Sequence, residues 1–257
     1  MRYFLDISFR GAAYHGWQIQ PHDVSVQEVL EKALTTLLRE PTAVTGAGRT
    51  DAGVNARCMV AHFDAPEMDA GRRQGLVRSI NAICRPDIVV NDMTPVHDTA
   101  HARFDATRRT YRYFVHTHDD PFVYPLSWRT PPALDFEAMN VAAERIVGCR
   151  DFTSFSKLHT DVKTNICTVA QARWMPMEGE PGRWFFEVSA DRFLRNMVRA
   201  IVGTLVLVGR GRLDADGVSE IIDRCDRCAA GSSMPAHPLF LWDVNYPYYN
   251  PENTNRQ

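Results

Sequence analysis

The chain has 257 residues, 45% of them hydrophobic and 23% charged, with a formal net charge of −2. This is ordinary globular composition with material for one large domain or two small ones, and the charge balance gives no global basic signature for nucleic acid. No apolar run approaches the roughly 20 residues of a membrane span, and the alternating, charged start MRYFLDISFR is unlike a signal peptide. The six cysteines are scattered, mostly in apolar segments, which points to reduced thiols and a cytoplasmic protein. Only Lys32, Lys157 and Lys163 are lysines among the 29 basic Lys and Arg residues. A codon bias toward arginine accounts for that as simply as a preference for phosphates and bases.

RYFLDISF alternates as a strand does. In SVQEVLEKALTTLLRE, Ser25 and Glu28 have capping-box spacing, and Val26, Val29, Leu30, Ala33, Leu34, Leu37 and Leu38 form one helical face. TAVTGAG and ARCMVAHFDA read as strands, Asp69 to Ile83 as a helix and DIVVNDMTPV as a further strand. The resulting β-α-β-β-α-β order is that of a ferredoxin-like domain.

A second mixed half starts near His101 with the extended ARFDATRRTYRYFVHTH, in which Tyr111 and Tyr113 share one strand face and Arg112 takes the other. DDPFVYPLSWRTPP is a proline-rich loop, Asp135 caps a helix running to Ile146 and ended by Gly148, and FTSFSKLHTDVKTN is a long loop. CTVAQARWMPM and GRWFFEVSA form a hairpin pair. Arg192 to Val208 is helical, with Arg192, Arg195 and Arg199 in a stripe that either tracks a nucleic-acid backbone or is a solvated face. AIVGTLVLVG within it is a buried helix rather than a membrane span. Asp214 to Cys225 is a helix, LFLWDVNYP a last strand, and YNPENTNRQ a frayed tail.

The segment TGAGRTDAGVNA concentrates the chemistry. A P-loop needs Lys followed by Ser or Thr where this chain has Arg49 and Thr50, and a dinucleotide turn needs a third glycine where it has Asp51. The glycines instead suit a tight, irregular turn that presents Asp51 beside Arg49, whose charge keeps a carboxylate ionised as a nucleophile or base requires. A turn aspartate that bonds only its own backbone fits the same pattern. CDRC is a single C-x-x-C, and His116 with His118 reads as a surface pair, so no metal is expected.

GRTDAGV, with YHGWQIQ and SVQEVLEKAL before it and NAICRPDI, HARFDATRRTYRY, GCRDFTSFSK, DRFLRNMVR and LFLWDVNYP after it, resembles the tRNA pseudouridine synthase A family along nearly the whole chain. The resemblance implies an α+β fold of two ferredoxin-like domains with mainly antiparallel sheets and an RNA-binding cleft between them, here residues 1–100 and 101–247, with 248–257 as tail. It implies a cytoplasmic homodimer that binds tRNA and isomerises uridines 38, 39 and 40 of the anticodon stem-loop. Asp51 resembles the catalytic aspartate, Arg49 the arginine that pairs with it and helps displace the target nucleotide, and Tyr111 the tyrosine beside the uracil. Leu239, Arg195, Arg199, Gly48 and Thr50 look like substrate-binding positions. SSMPAHPLFL departs from the family in Met234 and Pro238, where alanine and glycine are common, and Pro238 stiffens the turn that delivers Leu239. Uridine isomerisation is redox-neutral, so no cofactor is implied. A synthase of the same fold with another RNA target, and a non-catalytic RNA-binding protein, are the alternatives.

Overall fold

The computed structural model describes residues 1–84, 86–130, 134–157 and 164–251. The chain is a mixed α+β protein with five α-helices among the described residues. It divides into two units, Met1–Thr107 with the chain from Leu241 on, and Arg108–Phe240.

In the first unit, β1 (Arg2–Phe9) pairs antiparallel on both sides, so Leu5 lies opposite Ala61 on one strand and Met93 on the other. A strand with two neighbours keeps few exposed positions, and Tyr3 through Leu5 are fully buried. Helix α1 (Val26–Leu38) starts where expected: the Ser25 hydroxyl accepts the Glu28 N–H at 3.2 Å, and the helix stops at Arg39 in the left-handed region. Of the strand expected over TAVTGAG only β2 (Thr45–Gly46) forms, on β3 (Asn55–Asp64). Helix α2 (Ala70–Cys84) opens where Asp69 Oδ1 accepts the Arg72 N–H. Its Asn81 side chain bonds both backbone groups of Val90 (2.7 and 2.8 Å) in β4 (Ile88–Val96), stapling helix to strand.

The second unit is built on β5 (Arg108–His116), which borders β8 (Arg183–Ala190) antiparallel and takes β6 (Trp128–Arg129) as a short parallel neighbour. The stretch expected as a plain proline-rich loop therefore contributes a strand, although 131–133 lie outside the described residues. His116 is completely buried: its Nδ1 sits 2.9 Å from the hydroxyl of Ser127, just before β6, and burial lowers its pKa. The expectation of a surface His116–His118 pair is thus corrected. Helix α3 (Phe136–Gly148) is capped by Asp135, which accepts the Ala138 N–H at 2.9 Å. In the expected long loop Thr153–Phe155 makes one 3-10 turn, with Phe152 and Phe155 fully buried; 158–163 lie outside the described residues.

Strands β7 (Val169–Pro176) and β8 (Arg183–Ala190) form the expected hairpin pair. Helix α4 starts only at Met197 and runs to Gly209. Arg192 and Arg195 are therefore not helical, and the three-arginine stripe does not exist. Asn196 is left-handed at φ 69°, and the Arg195 carbonyl accepts the Lys157 N–H from a distant loop, which holds this stretch out of helix. Within α4 only Arg199 and Leu207 are not buried, so it is a core helix, as its apolar run implied. Helix α5 (Ala215–Asp223), capped by Asp214, ends two residues before Cys225, so the exposed Cys225 and Cys228 follow it in a turn.

From Leu241 the last strand, β9 (Leu239–Asn245), belongs to the first unit, where the strand order is β4-β1-β3-β9. The start of the expected frayed tail is docked there: Tyr249 meets Phe4 edge-on at 5.2 Å, and the Tyr248 hydroxyl donates to Asp105 at 2.6 Å. Residues 252–257 lie outside the described residues, as does Arg85 of the NAICRPDI motif. No helix among the described residues is long and apolar enough to cross a membrane.

Buried His62 on β3 accepts the Ala102 N–H at Nδ1 (3.1 Å), and burial pulls its pKa from about 6.5 down to about 4. The unfolded chain takes up this proton first on acidification, so the contribution is complete above pH 6.5 and lost as the pH falls to about 4. Urea titrations between pH 7 and 4.5 are expected to show a steeper acid loss of stability for wild type than for His62→Gln, which keeps an acceptor but does not titrate. Parallel pH curves refute the assignment.

Candidate active site

In the first unit the glycine-rich segment leaves β2 and returns as β3, with Asp51 partly exposed at its tip and Arg49 exposed beside it. The tip is a turn closed by the Val54 N–H on the Asp51 carbonyl at 3.1 Å, with Gly53 third in the turn at φ +80°. A type II turn requires that conformation at that place, and glycine adopts it without strain. So the glycine at 53 serves the backbone that carries Asp51.

The rest of the loop is held by the segment from Gly11 to Trp17, which the YHGW motif marked without revealing its task. Trp17 N–H reaches the Thr50 carbonyl (3.4 Å) and Gly53 N–H the Tyr14 carbonyl (3.3 Å). Gly46 lies flat on the buried Trp17 indole, where an added Cβ would stand 2.5 Å from the ring. Gly11 passes the Val54 carbonyl so closely that a Cβ would come within 2.2 Å of it, and the Gly11 N–H donates to buried Asn55 Oδ1. Gly48 differs, since open space surrounds its Cβ position. Thr50 turns inward, and its hydroxyl oxygen has no hydrogen-bond partner among the described residues.

In the second unit Tyr111 is nearly buried on β5, with Phe193 edge-on at 4.9 Å. Phe193 was not anticipated: it fell inside the expected arginine-striped helix, and only the break before Asn196 frees it to meet the tyrosine. Tyr113 shares the face of Tyr111, as alternation required, yet it is fully buried core, with its pKa raised by burial and only partly offset by Arg199. On the opposite face Arg112 pairs with Glu187 (2.6 Å) and lies over Phe185, a structural cross-strand contact.

Arg199 and the segment before the last strand interlock through backbone: Arg199 Nε donates to the Met234 carbonyl (2.6 Å), and the Met234 N–H returns to the Arg199 carbonyl (3.2 Å). Neither bond depends on the side chain at 234, so methionine is accommodated where alanine is common. Pro238 likewise supplies only a carbonyl, to the Phe114 N–H at 3.0 Å, and the next residue closes a turn from the Leu239 N–H to the Ala236 carbonyl at 2.9 Å. Leu239 is 4% exposed. Gly203 and Gly231 let this segment lie directly on α4; a Cβ at Gly203 would fall 1.9 Å from the Ser232 carbonyl. Arg195 is exposed in the turn before α4, apart from the helix that holds Arg199.

Among the described residues, no group of three or more His, Cys, Asp or Glu side chains is placed to hold a metal ion. The loop offers chemistry of another kind, one carboxylate on a braced turn with an arginine two residues away.

Comparison with known proteins agrees along the chain. A family model described as tRNA pseudouridine synthase matches residues 142–247. A tRNA pseudouridine synthase A of Parabacteroides distasonis is 53% identical over 246 residues, which is 96% of this chain and 96% of that protein. Proteins of the same name are 54% identical in Bacteroides thetaiotaomicron, over 96% of this chain and 91% of theirs, and 37% identical in Bacillus subtilis, over 96% and 99%. With more than half its positions shared over nearly the full length of such relatives, this chain belongs to the tRNA pseudouridine synthase A family.

Proposed function

We propose that the chain is a tRNA pseudouridine synthase that isomerises uridines 38, 39 and 40 of the anticodon stem-loop, with Asp51 as the catalytic carboxylate. Identity over nearly the full length of relatives bearing that name carries the class of reaction and the tRNA substrate. Support for the assignment of Asp51 is local: it is the carboxylate at the tip of a loop braced by the segment from Gly11 to Trp17.

The reaction breaks the bond from ribose C1′ to uracil N1 and forms one from C1′ to C5; a proton leaves C5 and one arrives at N1. No electron is gained or lost, so the balance calls for no redox cofactor. An ionised Asp51 serves either by adding covalently or by removing a ribose proton to release the uracil. Tyr111, buttressed by Phe193, and Leu239 confine the detached ring while it turns, and Tyr111 accepts or relays the C5 proton. A paired uridine must first leave its stack, at a cost of a few kcal/mol. Arg49, exposed beside Asp51, offsets part of that by filling the vacated place and pairing with phosphate. Thr50 and Gly48 shape the floor next to the carboxylate, and Arg195 and Arg199 assist in holding the RNA.

We also infer a cytoplasmic homodimer of ferredoxin-like domains. In the first unit, the order β4-β1-β3 with β2 on β3, antiparallel throughout, supports the domain type.

Transcripts tritiated at uridine C5, each with one uridine left in the anticodon stem, test the substrate. Release at positions 38, 39 and 40 is expected; release only elsewhere in tRNA makes the chain a synthase of another target. Arg49→Ala is expected to lower turnover about tenfold or more while tRNA affinity changes less. Unaltered turnover removes Arg49 from the flipping step.

A further inference from the structure

We propose that the groove between α2 and β4 in the first unit binds the sugar-phosphate backbone of the RNA, with Arg73 and Arg78 on the phosphate and Asp92 on a ribose hydroxyl. The inference rests on the reading of the chain as a tRNA-modifying enzyme. The groove has a volume of about 270 Å³ and is walled by Arg73, Gln74 and Arg78 of the helix and by Asn91, Asp92 and Met93 of the strand. None of these residues belongs to the Asp51 loop or to the segment that braces it.

The helix carries its charge at a cost to itself. Its sequence, AGRRQGLVRSINAIC, holds three arginines and no aspartate or glutamate, so no carboxylate one turn away offsets them. Arg72 and Arg73 stand in the first turn, where the positive end of the helix dipole disfavours a cation. In a chain with a net charge of −2, cations kept where the helix opposes them serve a ligand rather than stability. Arg73 is tethered, its Nη1 donating to the Met68 carbonyl at 2.8 Å, which fixes that guanidinium on the groove wall. Arg78 is exposed on the same wall.

The strand side is closed to a protein strand. β4 is the last strand of the order β4-β1-β3-β9, yet its edge is blunted. Asn81 already holds both backbone groups of Val90, Asn91 is skipped in the register with β1, and Pro95 has no N–H to give. What remains is a cleft with cations on one wall and a carboxylate on the other. Asp92 Oδ2 accepts the Thr94 hydroxyl at 2.5 Å, and Asn91 Nδ2 donates to the Ser8 hydroxyl at 2.8 Å. RNA matches that pattern, because beside each phosphate it carries a 2′-hydroxyl that donates to a carboxylate, and the planar fork of arginine suits the phosphate. An acidic protein segment would satisfy the arginines but set its own carboxylates against Asp92.

The test measures tRNA affinity of the full-length protein, and its salt dependence, for Arg73→Gln, Arg78→Gln and the double variant. Arg72→Gln is the control, since Arg72 is on the same helix but not on the groove wall, and thermal melting verifies folding. Each groove variant is expected to weaken binding about threefold or more at fixed salt, and the slope of log affinity against log salt falls by about 1 per arginine. The control stays closer to wild type than either. Asp92→Ala is expected to weaken binding of an RNA hairpin and to leave that of the DNA hairpin of the same sequence unaffected; an equal effect on both denies the ribose contact. An equal loss at all three arginines makes the effect one of diffuse charge and overturns the groove. If the groove variants bind like wild type while wild type still forms pseudouridine, this inference alone fails. If they alter sedimentation and leave tRNA affinity intact, the groove is a contact between copies and the inference is overturned. A wild type that neither binds nor modifies tRNA overturns the parent reading and this one with it.

Discussion

Asp51→Asn is expected to abolish tritium release from C5-labelled tRNA while leaving tRNA affinity within about threefold of wild type. Asparagine matches aspartate in shape but can neither add to C1′ nor take a proton. Removing such a group costs on the order of 10⁴-fold in turnover or more. The bonds that close the loop run through backbone, namely Trp17 N–H to the Thr50 carbonyl, Gly53 N–H to the Tyr14 carbonyl and Val54 N–H to the Asp51 carbonyl. They survive the substitution, so the loop keeps its shape and the RNA its binding surface. Full turnover in this variant sinks the catalytic assignment. Loss of binding together with turnover would make the carboxylate a structural group.

Gly16→Ala is expected to be strongly damaging to the first unit. Gly16 sits at φ +91°, and its added Cβ would stand 2.3 Å from the Thr50 carbonyl oxygen and 3.2 Å from the Asp51 carbonyl carbon. Strain at positive φ alone costs about 1–2 kcal/mol. The clash is with backbone, which cannot rotate away as a side chain can, so the Thr50–Asp51 peptide must move by about 1 Å to restore contact distance. A shift of that size in a reacting group costs about 100-fold in rate. Urea unfolding should show a loss of about 2 kcal/mol or more, and single-turnover assays the rate loss. Gly48→Ala is the comparison for stability, because open space surrounds that Cβ position and unfolding is expected to be unchanged. Wild-type rate and stability in Gly16→Ala would mean that the segment from Gly11 to Trp17 does not brace the catalytic loop.

Local chemistry was readable from residues alone. Ser25 and Asp135 cap the helices that follow them because a short polar side chain reaches the third N–H of its own helix. Alternation placed Tyr111 and Tyr113 on one face of β5, and the glycines around Asp51 announced a turn that ordinary residues cannot make. Each of these depends on neighbours within a few positions, and so does the block spacing that carried the family resemblance.

What failed to appear depends on partners far along the chain. The stretch from Arg192 to Asn196 has helical periodicity, yet Lys157 bonds the Arg195 carbonyl and Asn196 turns left-handed, so the helix begins at Met197 and Phe193 is released to Tyr111. His116 looked like a surface residue until Ser127, eleven positions on, arrived to bury it. Tyr248 and Tyr249 read as tail until Asp105 and Phe4 held them.

The sequence by itself determined the caps, the strand faces, the shape of the Asp51 turn and the family. Only the tertiary structure decided that Gly11, Gly16 and Trp17 hold that turn, that β9 returns to the first unit, and that Arg73 and Arg78 line a groove with β4. A hydrogen bond or a steric stop between residues 40 or 140 positions apart leaves no periodic trace, because it is the fold that sets which distant groups meet.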